Sequence, residues 1–265
     1  MFVDLRLLGK SAVVTGASKG IGLEIVRVLS AEGVRVVAAA RTVTAELREL
    51  ESSVTPVTVD LAAPDGAGRL IERASAILGE IDVLINNVGG VVAGSRDAGG
   101  FLDIADDAWQ RTYELNLFST VRVTRHALPS LLRQRGVIIN ISSIGARAAY
   151  HPVDYGTAKA ALNNLTKALA EEFGGQGLRV LTVSPGPTHT GNWSAPDGYA
   201  ADVAAQHGLT LDEFLDRAPT QMGITTGRLT EPEETAALVT FLASPVSGNL
   251  TGADYLADGG AIKTV

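Results

Sequence analysis

Short apolar runs rich in Val and Ile recur along the chain at Ser11–Thr15, Val34–Ala39, Val54–Val59, Ile81–Asn86, Val137–Ser142 and Leu178–Ser184. Each reads as a strand buried on both faces. Between them lie longer segments with apolar positions at helical spacing, Ile21–Glu32, Ala67–Leu78, Asp106–Arg133 and Tyr155–Phe173, with Gly33, Gly79, Gly136 and Gly174 as their stop signals. Strands alternating with helices imply parallel βαβ units, and right-handed crossovers give a doubly wound α/β sheet with helices on both faces. Ligands of such a sheet bind beyond the carboxyl ends of the strands. A helix over Pro232–Leu242 and a last strand within Thr251–Gly260 bring the expected parallel sheet to seven strands.

The rhythm breaks over about residues 188–228, where Asn192, Trp193, Tyr199, a short helix at Thr210–Ala218, and Met222 follow a strand end. So long a connection in that position is expected to be a substrate lid. No repeat, linker or charge run divides the 265 residues, so 1–265 reads as a single domain. A hydrophobic fraction of 46% with 19% charged residues describes a globular protein. The net charge of −7 argues against a nucleic-acid or anionic-membrane partner, because either needs clustered Lys and Arg. Without cysteine there is no disulfide framework, thiolate zinc site or catalytic thiol, and four scattered histidines suggest no metal centre. No apolar stretch has signal-peptide or membrane-span length, so cytoplasmic residence is expected.

Candidate chemistry begins after the first strand, at Gly16-Ala17-Ser18-Lys19-Gly20-Ile21-Gly22, which leads directly into a helix. Gly16 suits a tight turn, Gly20 lets backbone approach a pyrophosphate, and Gly22 allows close helix packing, while the helix N-terminus favours phosphate. A turn needing positive φ would also collect glycines, but the strand, loop and helix stand in the order that dinucleotide binding requires. The second strand ends in Ala40-Arg41 with no acid to hold the ribose 2′-OH of NAD. Arg41 and Lys19 could pair with a 2′-phosphate, so NADP(H) is expected over NAD(H), unless both are simply solvated charges. Asp60, followed by Leu61, ends the third strand where it could accept from an adenine edge.

Further motifs follow in order: Asn86-Asn87-Val88-Gly89 after the fourth strand, Asn116 in the long helix, and Ser142-Ser143 ending the fifth strand. Tyr155-Gly-Thr-Ala-Lys159, Pro185-Gly186, Thr188 and Thr190 complete the set. With the glycine loop, these resemble the short-chain dehydrogenases/reductases in their compact single-domain form, and the match spans nearly the whole chain. The resemblance implies a Rossmann fold and an oxidoreductase interconverting a carbonyl compound and its secondary alcohol. Tyr155 would be general acid and base, Ser143 would polarise the substrate oxygen, Lys159 would hold the nicotinamide ribose, and Asn116 would hold a water linking Lys159 to solvent. Thr188 backbone and the Thr190 hydroxyl would meet the carboxamide. Four residues apart on a helix, Tyr155 and Lys159 share a face, so the ammonium is expected to lower the phenol's pKa.

Two features depart from the family pattern. Val88 replaces the usual alanine, and the serine-to-tyrosine interval is one residue short. Anchoring on the strand end selects Ser143 and counting back from Tyr155 selects Ser142; Ser143 is adopted, since loops absorb deletions more readily than strands. The substrate pocket is expected from Gly90–Gly100, Ile144–Asp154 and the lid, offering Tyr150, His151, Trp193, Tyr199 and Met222, with Arg96 and Arg147 as candidate contacts for a neutral or modestly polar carbonyl compound. Rival readings are a non-redox enzyme on the same scaffold and a catalytically silent cofactor-binding regulator. The resemblance also implies a homotetramer, assembled through the Asp106–Arg133 helix, the Tyr155 helix and a C-terminal surface that includes Ala261–Val265.

Overall fold

A computed structural model describes residues 4–50 and 52–264, so Val265 of the expected C-terminal interface lies outside the described residues. Seven strands form one sheet: β1 (Ser11–Thr15), β2 (Arg35–Ala40), β3 (Val54–Thr58), β4 (Val83–Asn86), β5 (Val137–Ile141), β6 (Arg179–Pro185) and β7 (Asp254–Ala257). Their order is β3-β2-β1-β4-β5-β6-β7 and every pairing is parallel. Successive side chains of a strand point to opposite faces, and here both faces are covered. Val14, Ala38, Ile85, Ile139 and Val183 belong to one buried cluster, and Val13, Val37, Leu84, Ile138 and Val180 to the other. That double burial is why the runs are predominantly apolar.

The helices are α1 (Gly20–Ala31), α2 (Ala45–Arg48), α3 (Gly66–Leu78), α4 (Asp106–Tyr113), α5 (Ser119–Gln134), α6 (Val153–Phe173), α7 (Gly191–Ser194), α8 (Tyr199–Gln206), α9 (Leu211–Gln221) and α10 (Pro232–Ala243). Ile25 and Leu29 of α1 join Val239 and Leu242 of α10 on one face; Leu70 of α3, Val123 and Leu131 of α5 and Ala170 of α6 cover the other. Because β4 lies beside β1, the strand order reverses there, and the carboxyl ends of the two strands open a crevice.

Three expectations change in detail. The helix expected over Asp106–Arg133 is interrupted by a π-helical turn at Glu114–Phe118, which holds Asn116. Such turns are wider than α and frequently sit at functional sites. Gly136 is not the left-handed stop of α5: Arg135 takes that conformation at φ 49°, and Gly136 is small because a Cβ would run into the Asp82 carbonyl. At the end of α6 the left-handed residue is Gly177 rather than Gly174. The segment expected as a lid carries α7, α8 and α9, the last begun by Thr210, whose side chain forms a capping box with Glu213.

Candidate active site

A cleft of about 990 Å³ runs along the carboxyl ends of the strands, at the upper end of the volumes that small-molecule sites occupy. Every catalytic and cofactor-binding residue expected from the sequence lines it except Asn116, which is buried; the candidate substrate contacts Arg96 and Arg147 do not. At the glycine-loop end the walls are tied through backbone. Asn87 Nδ2 donates to the carbonyls of Thr15 and Gly16 (3.1 and 3.0 Å), and Thr15 Oγ1 accepts from the amides of Asn87 and Val88 (3.0 and 3.1 Å). A Cβ at Gly22 would collide with the Gly16 carbonyl, so α1 can leave the loop at this angle only with glycine there.

Lys19, at the N-cap of α1, supplies no side-chain acceptor, and the first turn holds no acidic residue. The positive end of this twelve-residue helix therefore faces the cleft uncompensated, which is the electrostatic condition for binding a phosphate. Lys19 and Arg41 are exposed on the lining of the same cleft, and among the described residues neither side chain joins a hydrogen bond or an ion pair. Asp60 is exposed on the lining as well, with Oδ1 accepting from the Ala62 amide at 3.0 Å.

At the other end, α6 places Tyr155 and Lys159 one turn apart, with Nζ 5.7 Å from the phenol ring centroid. Lys159 is 2% exposed, its Nζ donates to the Ile141 carbonyl at 2.9 Å, and burial lowers its pKa to about 8. The two serines part company. Ser142 turns into the body, its hydroxyl donating to the Lys159 carbonyl at 3.3 Å, whereas Ser143 Oγ accepts from the Gly145 amide at 3.1 Å and stands beside the phenol.

The phenol itself corrects an expectation. Burial pushes the Tyr155 pKa up, the neighbouring Ser143 hydroxyl pulls against it, and the Tyr199 side chain raises it further. Desolvation, not the Lys159 ammonium, dominates in the protein alone, and it holds the group as the neutral acid. The Asn116 amide clamps the turn after β4, accepting from the Gly90 amide and donating to the Gly90 and Thr112 carbonyls, all at 2.9 Å. A Cβ on Gly89 would lie 2.7 Å from Asn116 Oδ1 and 2.9 Å from Lys159 Nζ, so this glycine is what lets the turn close onto both.

Arg96 and Arg147 are not free to meet a substrate. Arg96 pairs with Asp202 of α8 and donates to the Asp197 carbonyl at 3.2 Å, and Arg147 pairs with Asp254 at 2.7 Å. Asp154, next to Tyr155, was not singled out from the sequence. It is fully buried, with Oδ2 accepting 2.5 Å hydrogen bonds from Ser95 and Thr112, and so joins the loop after β4, α4 and α6. Its partners lie 59 and 42 residues upstream, and no local pattern announces them.

Residues 16–261 match the family model described as Enoyl-(Acyl carrier protein) reductase. The chain belongs to the short-chain dehydrogenase/reductase family. It is 36% identical over 269 residues to the L-xylulose reductase of Bos taurus, an alignment that covers 99% of this chain and 100% of that one. To the meso-2,3-butanediol dehydrogenase of Serratia marcescens it is 33% identical over 264 residues, covering 97% and 96%. The L-sorbose reductase of Gluconobacter frateurii, solved in complex with NADPH and L-sorbose, superposes with a TM-score of 0.88 at 32% identity, covering 99% of this chain and 100% of that one. Short-chain dehydrogenases/reductases are oxidoreductases of alcohols and carbonyl compounds that bind a nicotinamide cofactor. The residues here fit such a group: a bare helix N-terminus for the phosphates, and a cleft continuing from it to Tyr155 and Lys159. Among the described residues, no helix is long and apolar enough to cross a membrane.

Proposed function

We propose that this oxidoreductase uses NADP(H) to interconvert a neutral carbonyl compound and its secondary alcohol by hydride transfer, with Tyr155 as general acid and base. The chain acts as one catalytic unit over 1–265, with 188–228 as its lid. The observation that carries the reading is the meeting, at one end of a dinucleotide-sized cleft, of the Tyr155 phenol, the Ser143 hydroxyl and the buried Lys159 ammonium. A bound nicotinamide supplies or accepts the hydride.

The protein's own residues handle the oxygen and its proton. Ser143 donates to the substrate oxygen and orients the carbonyl; Tyr155, kept protonated by burial, delivers the proton as negative charge develops there. Lys159 holds positive charge behind the phenol below about pH 8, which stabilises the tyrosinate left after transfer. Asn116 holds the Gly89-Gly90 turn against Lys159 and so keeps the ammonium in register. Gly16, Ser18, Gly20, Ile21 and Gly22 take the phosphates at the positive end of α1, and Lys19 and Arg41 take the 2′-phosphate. Asp60 and Leu61 take the adenine side, and Asn87, Pro185, Gly186, Thr188 and Thr190 flank the nicotinamide.

The assembly is a homotetramer and the residence cytoplasmic, where NADP(H) is available; Phe118, 47% exposed in the π turn, supplies apolar surface for a partner subunit, and light scattering should return four chain masses. The enzymatic reading is tested by following oxidation of NADPH or NADH across a panel of ketones. NADPH should be consumed with about tenfold or greater preference in kcat/KM. Binding of NADPH without consumption by any carbonyl would indicate a silent regulator instead, and preference for NADH would remove the roles of Lys19 and Arg41.

A further inference from the structure

Beyond Ser143 and Tyr155 the cleft is walled by Tyr150, which precedes α6, and by Trp193, Tyr199, Val203, Phe214 and Met222. Three of these are organised among themselves. The Trp193 and Phe214 rings stack with centroids 6.2 Å apart and planes 23° from parallel, and Tyr199 meets Trp193 edge-on at 6.3 Å. All six are half-buried, so ring surface remains open toward the cleft.

Apart from the Tyr150 and Tyr199 phenol hydroxyls, the polar side chains of this end are engaged or peripheral. Arg96 and Arg147 are held by Asp202 and Asp254, and His151 and Asn192 are exposed at the rim. Tyr199 stays a neutral phenol, its pKa pushed up by burial against the opposing pull of Arg96. A polyhydroxylated chain entering here would find only the Tyr150 and Tyr199 hydroxyls among the ring faces, leaving its remaining desolvated hydroxyls without partners. A carboxylate would find no free cation among the described residues of the wall. A flat apolar ring would lose nothing polar and would extend the Trp193–Phe214 stack.

We infer that the substrate is a neutral ketone or secondary alcohol with an apolar ring, aryl or alicyclic, next to the reacting carbon, selected by the aromatic wall of Trp193, Tyr199 and Phe214. This rests on the carbonyl–alcohol reading above. The ring lies against α7–α9 while its carbonyl oxygen reaches Ser143 and Tyr155, so selection and proton transfer use different walls of one cleft.

The test measures kcat/KM with NADPH for acetophenone, cyclohexyl methyl ketone, butanone and an open-chain ketose, in the wild type and in Trp193→Ala. The two ring ketones should exceed butanone and the ketose by about tenfold or more, and Trp193→Ala should lower the ring-to-butanone ratio by about tenfold. Butanone or the ketose matching the ring ketones would overturn the assignment, as would a ratio unmoved by Trp193→Ala. The wild-type panel decides the substrate class even if the variant does not fold. Silence toward every carbonyl would instead refute the underlying redox reading and this inference with it, so the two failures are distinct.

Discussion

The two ends of the cleft are held by different kinds of contact. At the glycine loop, the Thr15 and Asn87 side chains bond directly to main-chain atoms of Thr15, Gly16 and Asn87, and the approach is so close that Gly22 has no room for a Cβ. At the proposed lid, the joining is between side chains: the partly exposed Arg96–Asp202 pair and the Trp193–Phe214 stack. Main-chain closeness admits one geometry and restricts residue type, whereas exposed ion pairs contribute only about 0–1 kcal/mol and can be remade. The glycine-loop end therefore holds one fixed geometry, and the proposed lid, closed by contacts that can be remade, is the end that can adjust to a substrate.

Changes at the centre, where both ends meet, should have the largest effect. Tyr155→Phe should lower kcat by about 10³-fold, within the range of a lost general acid, while NADPH affinity by calorimetry stays within about threefold. Parallel loss of both quantities would show that the ends are not separable. At the cofactor end alone, Arg41→Asp should weaken NADPH by about 10–100-fold and NADH by less than about threefold, since a carboxylate would then face the 2′-phosphate. Equal changes for the two cofactors would contradict the charge assignment.

Lys159 makes the centre of the cleft sensitive to pH. Its pKa near 8 means that the ammonium is lost as pH rises through that value, so kcat/KM for reduction should be level below about pH 8 and fall above it by about tenfold per unit. The same shift has a stability consequence of opposite sense. A lysine whose folded pKa lies below its ordinary 10.5 binds fewer protons when folded, so between about pH 8 and 10.5 its contribution grows more favourable as pH rises. The melting temperature of Lys159→Met relative to the wild type should therefore fall between pH 7 and pH 10; a difference that does not change with pH would deny that the buried ammonium carries this penalty. At the lid alone, Arg96→Ala should raise KM by only about 3–10-fold, leaving cofactor affinity unchanged by calorimetry, because the pair it removes is partly exposed.

This contrast also explains what the sequence disclosed. The sheet was legible because strands buried on both faces are apolar over most of their length, as β1 and β5 are, and the glycine loop because close main-chain approach leaves few residue types. Tyr155, Lys159 and Ser143 were legible as a motif, and the structure adds that Ser142 turns toward the Lys159 carbonyl, away from the phenol. The π turn around Asn116 was not legible, since its apolar spacing continues that of the flanking helices. Nor was the Asp154 knot, whose partners are far upstream, or the engagement of Arg96 and Arg147 by acids contributed from other elements. Side-chain pairing over long separations leaves no periodic trace.

The proposed hydride transfer between the nicotinamide and the carbonyl carbon at Tyr155 is read out by isotope transfer. NADPH deuterated at the transferable C4 position, incubated with a ketone that the enzyme reduces, should give an alcohol with deuterium on the carbinol carbon, one label per cofactor oxidised, and Tyr155→Phe should slow its formation by about 10³-fold. Unlabelled alcohol, or labelled alcohol formed at the wild-type rate by Tyr155→Phe, would contradict it.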